Sequence, residues 1–355
     1  MSNPLPRSLL QPLPTLLLAA VTPLAGAAPD TLAADLQHCA TLADAGPRLA
    51  CYDALTPLHH SAPPATPATP VERSQPTSPS APQSTLSRYW ELDPQDKRGT
   101  LRFVSYRPNY ILPLHLTSHI NQAPHSPTQA AVPMPDYQRA EAKFQLSLRT
   151  KLVEDAFQSG ADLWAGFTQQ ALWQVFNGQD SAPFRNTDYE PELVVVVPTP
   201  MHLRTLPGGW QWHCTQLGLA HQSNGQSDPL SRSWNRVYLA AGIEQGAWTL
   251  TTKLTQRLNE PLATDNNPDL GLYRGRAELR LRWTSGHSVA ALQYNGSPRR
   301  TNRGALLAEW SRPIHLDQPE GLRWYVQAFT GHGETLTDYN FRQTSVGAGM
   351  MFSPF

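Results

Sequence analysis

Residues 88–355 predict an all-β fold: an antiparallel transmembrane β-barrel of about twelve strands. Three observations carry this. The region is built from segments that alternate apolar and polar residues, with no apolar run of helix-spanning length. Turn signals such as Asn295-Gly296-Ser297-Pro298 separate these segments. A hydrophobic content of 40% and a mean hydropathy of −0.42 exclude a helical membrane protein, but are ordinary for a barrel whose every second residue faces a polar lumen.

The clearest strand is Arg276-Ala277-Glu278-Leu279-Arg280-Leu281-Arg282-Trp283, where each polar position is charged and each alternate one apolar. Lys143 to Arg149 and Arg323 to Ala328 repeat the pattern. Strand side chains alternate faces with period two, so a polar lumen and a lipid-facing wall follow from parity. Ionic pairs among residues such as Glu278, Arg280 and Arg282 then fill the interior of so small a barrel and predict a plugged lumen. Trp210, Trp212, Trp248, Tyr273 and Trp310 fit interfacial aromatic belts. A formal net charge of zero argues against nucleic acid as a partner.

Upstream of the barrel the composition changes twice. Residues 1–27 have Arg7, an apolar run interrupted by Pro14 and Pro23, and Ala25-Gly26-Ala27, which together read as a secretory signal. In residues 28–56, Leu32, Leu36, Cys39 and Leu42 recur at helical spacing and Gly46-Pro47 breaks the run, so two short helices can bring Cys39 and Cys51 together. In an oxidising compartment the two cysteines are expected to form a disulfide; a metal site with His38 is the alternative. Residues 57–87 read as an extended linker, with eight prolines between Pro57 and Pro82, and His59 and His60 lie in it. Cys214 is left as an inward, structural thiol.

The chemistry-bearing stretch is His221 to Arg236, HQSNGQSDPLSRSWNR. Parity puts Leu217, Leu219, His221 and Ser223 on one face of the entering segment, and Asn235, Val237 and Leu239 on one face of the leaving segment. If the two strands pair, a hydroxyl, an imidazole and a carboxamide meet on one hydrophobic wall. His221 and Ser223 are about 6.6 Å apart along a strand, within reach of neighbouring side chains. A serine hydroxyl is a poor nucleophile until a base takes its proton, and a third group must fix the tautomer of that base. A neutral Asn235 suits a site bordering hydrocarbon, where a free carboxylate is costly to desolvate.

His221-x-Ser223-Asn224-Gly225, with Ser227-Asp228-Pro229, Ser231-Arg232-Ser233 and Trp234-Asn235-Arg236, resembles the signature of the outer-membrane phospholipase A family. The resemblance extends to residues 166–177 and 181–192, to the DNNPD run at 265–269 and to YNFRQTSVGAGMMF near the end, covering most of residues 88–355. It implies a calcium-dependent, dimer-activated hydrolase of sn-1 and sn-2 acyl esters of glycerophospholipids and lysophospholipids. Ser223 would be the nucleophile, His221 the general base and Asn235 its orienting partner. The Gly225 amide would contribute to an oxyanion hole, with Gln169 organising water there. Ca2+ would be held by the carbonyl of Gln226, the hydroxyl and carbonyl of Ser231, and the carbonyl of Ser181 from a second copy. Gln226 stands where the family commonly has Arg, and Asn266 where an Asp would bind a second calcium. The same resemblance implies the outer membrane of a Gram-negative bacterium, an N-terminal segment in the periplasm, and assembly by the barrel machinery that reads a terminal aromatic such as Phe355, although Pro354 departs from its usual pattern. Two other classes fit the residues alone: a non-catalytic barrel, porin or scaffold, and a hydrolase of soluble esters that needs neither calcium nor a dimer.

Overall fold

The computed structural model describes residues 36–55, 84–156, 158–297 and 300–353. The expected signal, most of the linker, His59, His60, Pro354 and Phe355 lie outside these residues. The chain divides into two compact units, Met1–Ser78 and Pro79–Phe355.

Within the first unit, residues 36–40 are helical and α1 spans Ala45–Leu55. Cys39 and Cys51 are disulfide-bonded, with Cα atoms 5.5 Å apart. Cys39 is buried, and among the described residues of this unit the bridge joins the two helical segments.

The second unit is a closed antiparallel barrel. Its strands are β1 (Phe103–Ser105), β2 (Asn109–Thr117), β3 (Ala140–Ala156), β4 (Ala161–Trp173), β5 (Phe184–Pro198), β6 (Gln211–Ser223), β7 (Ser233–Gln245), β8 (Trp248–Arg257), β9 (Ala277–Ser285), β10 (Ser288–Ser297), β11 (Arg300–Pro313), β12 (Arg323–His332) and β13 (Arg342–Ser353). Strands β2 to β13 each pair with the next, and β13 pairs back on β2, which closes a ring of twelve. β1 is a short extra strand on β3, beyond the stretch of β3 that pairs with β2. Closure leaves no sheet edge inside a bilayer, where an unpaired backbone amide would be costly.

The alternation read from the sequence is the alternation of burial. In β12, Arg323, Tyr325, Gln327 and Phe329 are buried, while Trp324 and Val326 are exposed on the outer wall. On β9, Glu278, Arg280 and Arg282 face a luminal cavity of about 320 Å³. Arg280 pairs with Glu309 at 2.6 Å, and Lys253 approaches Glu278 at 3.7 Å. Trp248 and Trp310 are exposed on the outer wall, in keeping with a belt. Tyr273 is not at a strand end: it lies on α3 (Leu270–Arg274) and packs against Trp234, Leu270, Leu336 and Tyr339. The aromatic count could not separate a residue packed against a buried cluster from one of a rim.

Two plugs fill the lumen. One is α2 (Thr85–Trp90), whose first residues belong to the stretch read as linker. Its Leu86 and Trp90 are buried among Tyr106, Trp164, Val194, Cys214 and Tyr238, and Arg149 lies over the Tyr89 ring at 3.7 Å. Ser84 caps the helix by accepting from the Ser87 amide, and Glu244 of β7 receives the Ser84 hydroxyl (2.6 Å) and the Leu86 amide (2.8 Å). A carboxylate at a helix start satisfies donors that have no partner within the helix. The second plug is the connection after β12, where Leu336 and Tyr339 are fully buried and Glu334 receives Lys143 Nζ at 2.8 Å.

Candidate functional site

β6 and β7 present the site. Their register sets His221 directly opposite Asn235 and Ser223 opposite Ser233. Directly opposed residues bring Cβ atoms to about 5 Å, close enough for an imidazole and a carboxamide to bond. They do so: His221 Nδ1 lies 2.9 Å from Asn235 Oδ1. Since the amide oxygen can only accept, Nδ1 is the donor in this contact, and a neutral ring so held carries its lone pair on Nε2.

The face is the outer one. Leu217, Leu219 and Leu239, which share parity with the three residues, are exposed, while His221, Ser223 and Asn235 are half-buried. The alternate residues Gln222, Trp234 and Arg236 are buried and line the lumen. Cys214 is buried with this inward set.

The loop joining the strands, residues 224–232, folds around Asn224. Its side chain accepts from the amides of Gln226 (3.3 Å) and Arg232 (2.9 Å) and donates to the Leu230 carbonyl (2.8 Å) and the Thr337 hydroxyl (3.1 Å). Arg232, fully buried, donates to the carbonyls of Pro229 (2.9 Å) and Ser231 (2.7 Å). Gly225 follows with φ +63°, and a Cβ there would come within 3.1 Å of the Tyr189 ring. Glycine takes this left-handed turn without the strain and the crowding against Tyr189 that a Cβ would bring.

Pairing across β4, β5 and β6 sets Gln169 opposite Tyr189 and Tyr189 opposite Ser223. Gln169 therefore shares the outer row with Ser223, two strand spacings or about 10 Å away. Tyr189 stands between them. The sequence reading missed it, because only the inter-strand register reveals the neighbour.

The residues assigned to calcium fall in two places. Gln226 and Ser231 share the 224–232 loop, and Ser181 sits on the separate connection between β4 and β5, with φ +60°. Carbonyl and hydroxyl oxygens are the hard donors calcium selects, and the loop supplies three of the six to eight it needs. The Ser231 hydroxyl accepts from Asn266 Nδ2 at 2.8 Å and its carbonyl accepts from Arg232, each oxygen keeping a second lone pair. The donor set therefore fits a hard cation whose shell is completed from elsewhere. Among the described residues there is no group of three or more His, Cys, Asp and Glu suited to a metal ion. Asn266 is engaged at both ends, since its Oδ1 accepts from Gln129 Nε2 at 2.8 Å. Gln129 also donates to Asp228 at 3.2 Å, tying the connection between β2 and β3 to the site loop.

Glu260 was also missed. It follows β8 and accepts from Asn235 Nδ2 at 3.3 Å.

The phospholipase A1 family model matches residues 86–352. The phospholipase A1 of Escherichia coli strain K12 is 38% identical over 215 residues, which span 60% of this chain and 70% of that protein. Among solved structures, the outer membrane phospholipase A from Escherichia coli is similar with a TM-score of 0.62 and 32% identity, covering 72% of this chain and 100% of that one. The calcium-bound dimer of the Salmonella typhi outer membrane phospholipase matches with a TM-score of 0.62 and 32% identity, over 71% of this chain and 92% of that one.

Proposed function

This chain belongs to the phospholipase A1 family, and we propose on that premise that it is an outer-membrane serine hydrolase cleaving sn-1 and sn-2 acyl esters of glycerophospholipids and lysophospholipids. The observation that carries the reading is the His221–Asn235 hydrogen bond on the lipid-facing wall, one pleat from Ser223. A site there meets an ester in the membrane without extracting the lipid.

His221 Nε2, free to accept, takes the proton as Ser223 Oγ attacks the acyl carbonyl. Asn235 holds the ring in the tautomer that makes this proton transfer available and faces the imidazolium that forms. The carbonyl oxygen becomes an oxyanion beside the Gly225 amide, fixed by the turn that Tyr189 crowds. Collapse returns the proton from His221 to the departing lysophospholipid oxygen, and a water activated by the same His221 releases the fatty acid from Ser223. Gln169, on the same outer row, orders water on that side. Gln226 and Ser231, with Ser181 of a second copy, would hold calcium, which when bound supplies positive charge next to the developing oxyanion. The family resemblance draws Ser181 from the second copy, and on that reading calcium binding couples activity to homodimerisation. The calcium-bound dimer of the Salmonella typhi relative supports this part. Asn266 stands where the resemblance puts an Asp and brings no charge to a second calcium, and its Oδ1 already accepts from Gln129. The N-terminal unit, with its disulfide, belongs to the periplasm, and the barrel is placed in the membrane by the outer-membrane assembly machinery.

The test is phospholipid hydrolysis by purified protein in detergent micelles, with calcium or with chelator, for the wild type and Ser223→Ala. Activity is expected for the wild type with calcium alone. Hydrolysis by Ser223→Ala overturns the nucleophile assignment, and hydrolysis under chelator removes the metal from the reading.

A further inference from the structure

The neutral carboxamide in the site raises a question of orientation. The two ends of an Asn side chain are nearly equal in size, and rotation of the amide by half a turn exchanges an acceptor for a donor. With Oδ1 towards His221, the ring carries its proton on Nδ1 and Nε2 is a base. With the NH2 group there instead, Nδ1 must accept, the proton moves to Nε2, and the ring cannot take a proton from Ser223. An aspartate in this place would have no such ambiguity. Asn235 needs something that distinguishes its two ends.

Glu260 is placed to do so. Its carboxylate, an acceptor only, lies 3.3 Å from Asn235 Nδ2, on the side of the amide opposite His221. Turning the amide would set Oδ1 against the carboxylate and lose the bond to Glu260, even though the ring could keep its own bond by changing tautomer. The carrier of Glu260 is itself anchored. The Leu258 amide donates to the Asn235 carbonyl at 2.9 Å, continuing the β7–β8 register past Arg257. Arg257 then holds the far side of the same connection through Asp265 (2.7 Å) and the Asn267 carbonyl (2.7 Å). The amides of Thr264 and Asp265 both donate to the Pro261 carbonyl, which closes the turn directly after Glu260. The carboxylate is half-buried against the outer wall, where a bond to it is less screened than in open water.

We propose that Glu260 is a positioning residue for the hydrolytic site, selecting the Asn235 rotamer and through it the Nδ1–H tautomer of His221. The contacts run from Glu260 to Asn235 and from Asn235 to His221, with Ser223 one pleat further along the same strand, and the negative end also faces the imidazolium through the intervening amide. This rests on the reading of Ser223, His221 and Asn235 as the reacting set.

The experiment uses the full chain in phospholipid micelles with calcium. Glu260→Ala is expected to lower kcat about tenfold, the scale of one hydrogen bond to a charged group, with KM unchanged. Glu260→Gln, whose amide oxygen still accepts from Asn235, is expected to stay within about threefold of the wild type. In an Asn235→Ala background, Glu260→Ala is expected to change nothing, because the amide it orients is gone. Nitrogen NMR of the labelled His221 ring supplies a readout independent of turnover: Nδ1–H alone in the wild type, both tautomers in Glu260→Ala. Unchanged kcat in Glu260→Ala, an equal loss in the Asn235→Ala background, a Gln variant as impaired as Ala, or one unaltered tautomer overturns the inference. An inactive wild type or an active Ser223→Ala would instead strike the hydrolase reading, whatever Glu260 does.

Discussion

The two faces of β6 and β7 are made of adjacent residues and behave as different materials. On the inner face, Trp234 Nε1 donates to Gln222 Oε1 at 2.9 Å, and Arg236 both pairs with Glu190 and lies over the Trp234 ring at 4.2 Å. Each of these groups is buried and supports its neighbours. On the outer face, one step along the same backbone, His221 and Asn235 share a single bond among exposed leucines. The inner face holds the barrel together, and the outer one is left available for chemistry. Polar residues in the lumen act as core, whereas polar residues on the lipid side stand out because nothing about stability explains them.

Exchanging the two kinds of residue sharpens this contrast. Ser223→Ala is expected to reduce phospholipid turnover about 10⁶-fold, the scale of losing a serine nucleophile, with no change in unfolding in lipid. Its inward counterpart Trp234→Ala should cost about 3 kcal/mol of stability, the scale of a large buried ring, as read by urea titration of refolding. If Trp234→Ala left stability untouched, the inner face would not be the core described above. Leu219→Arg, a charge placed on the lipid side, is expected to destabilise the barrel by about 2 kcal/mol in bilayers, and no loss there would argue that this wall does not meet hydrocarbon. The smallest effect is expected for Gly225→Ala, which must push against Tyr189. About a tenfold fall in kcat is expected, partly restored by Tyr189→Ala, and an additive double variant would show that the contact does not set the turn.

The sequence made legible whatever depends on period two. Twelve strands, a filled lumen, the inward Cys214 and the shared face of His221, Ser223 and Asn235 all follow from counting along a strand. What depends on register between strands was out of reach. Tyr189 and Ser223 are far apart in the chain and become neighbours only when β5 pairs with β6. Glu260 reaches Asn235 because the chain turns back after β8, and Gln129 reaches Asp228 and Asn266 from another connection altogether. The composition also misled at two points. Proline-rich sequence obscured the start of α2, whose Leu86 and Trp90 belong to the core, and Tyr273 counted as a belt residue although it packs inside. In both cases the apolar side chains meet partners far away in the chain, such as Trp164 and Tyr238 for α2 and Trp234 and Leu336 for Tyr273, which no local window contains.

The most direct test of the outward placement is oxygen accessibility of spin labels placed singly at residues 218 to 223, in bilayers, with Cys214 replaced by Ala. A period of two is expected, with collisions with lipid-dissolved oxygen highest at 219, 221 and 223 and lowest at 218, 220 and 222. The reverse phase, or no alternation, would put His221 and Ser223 in the lumen or on a coil and contradict a lipid-facing hydrolytic site.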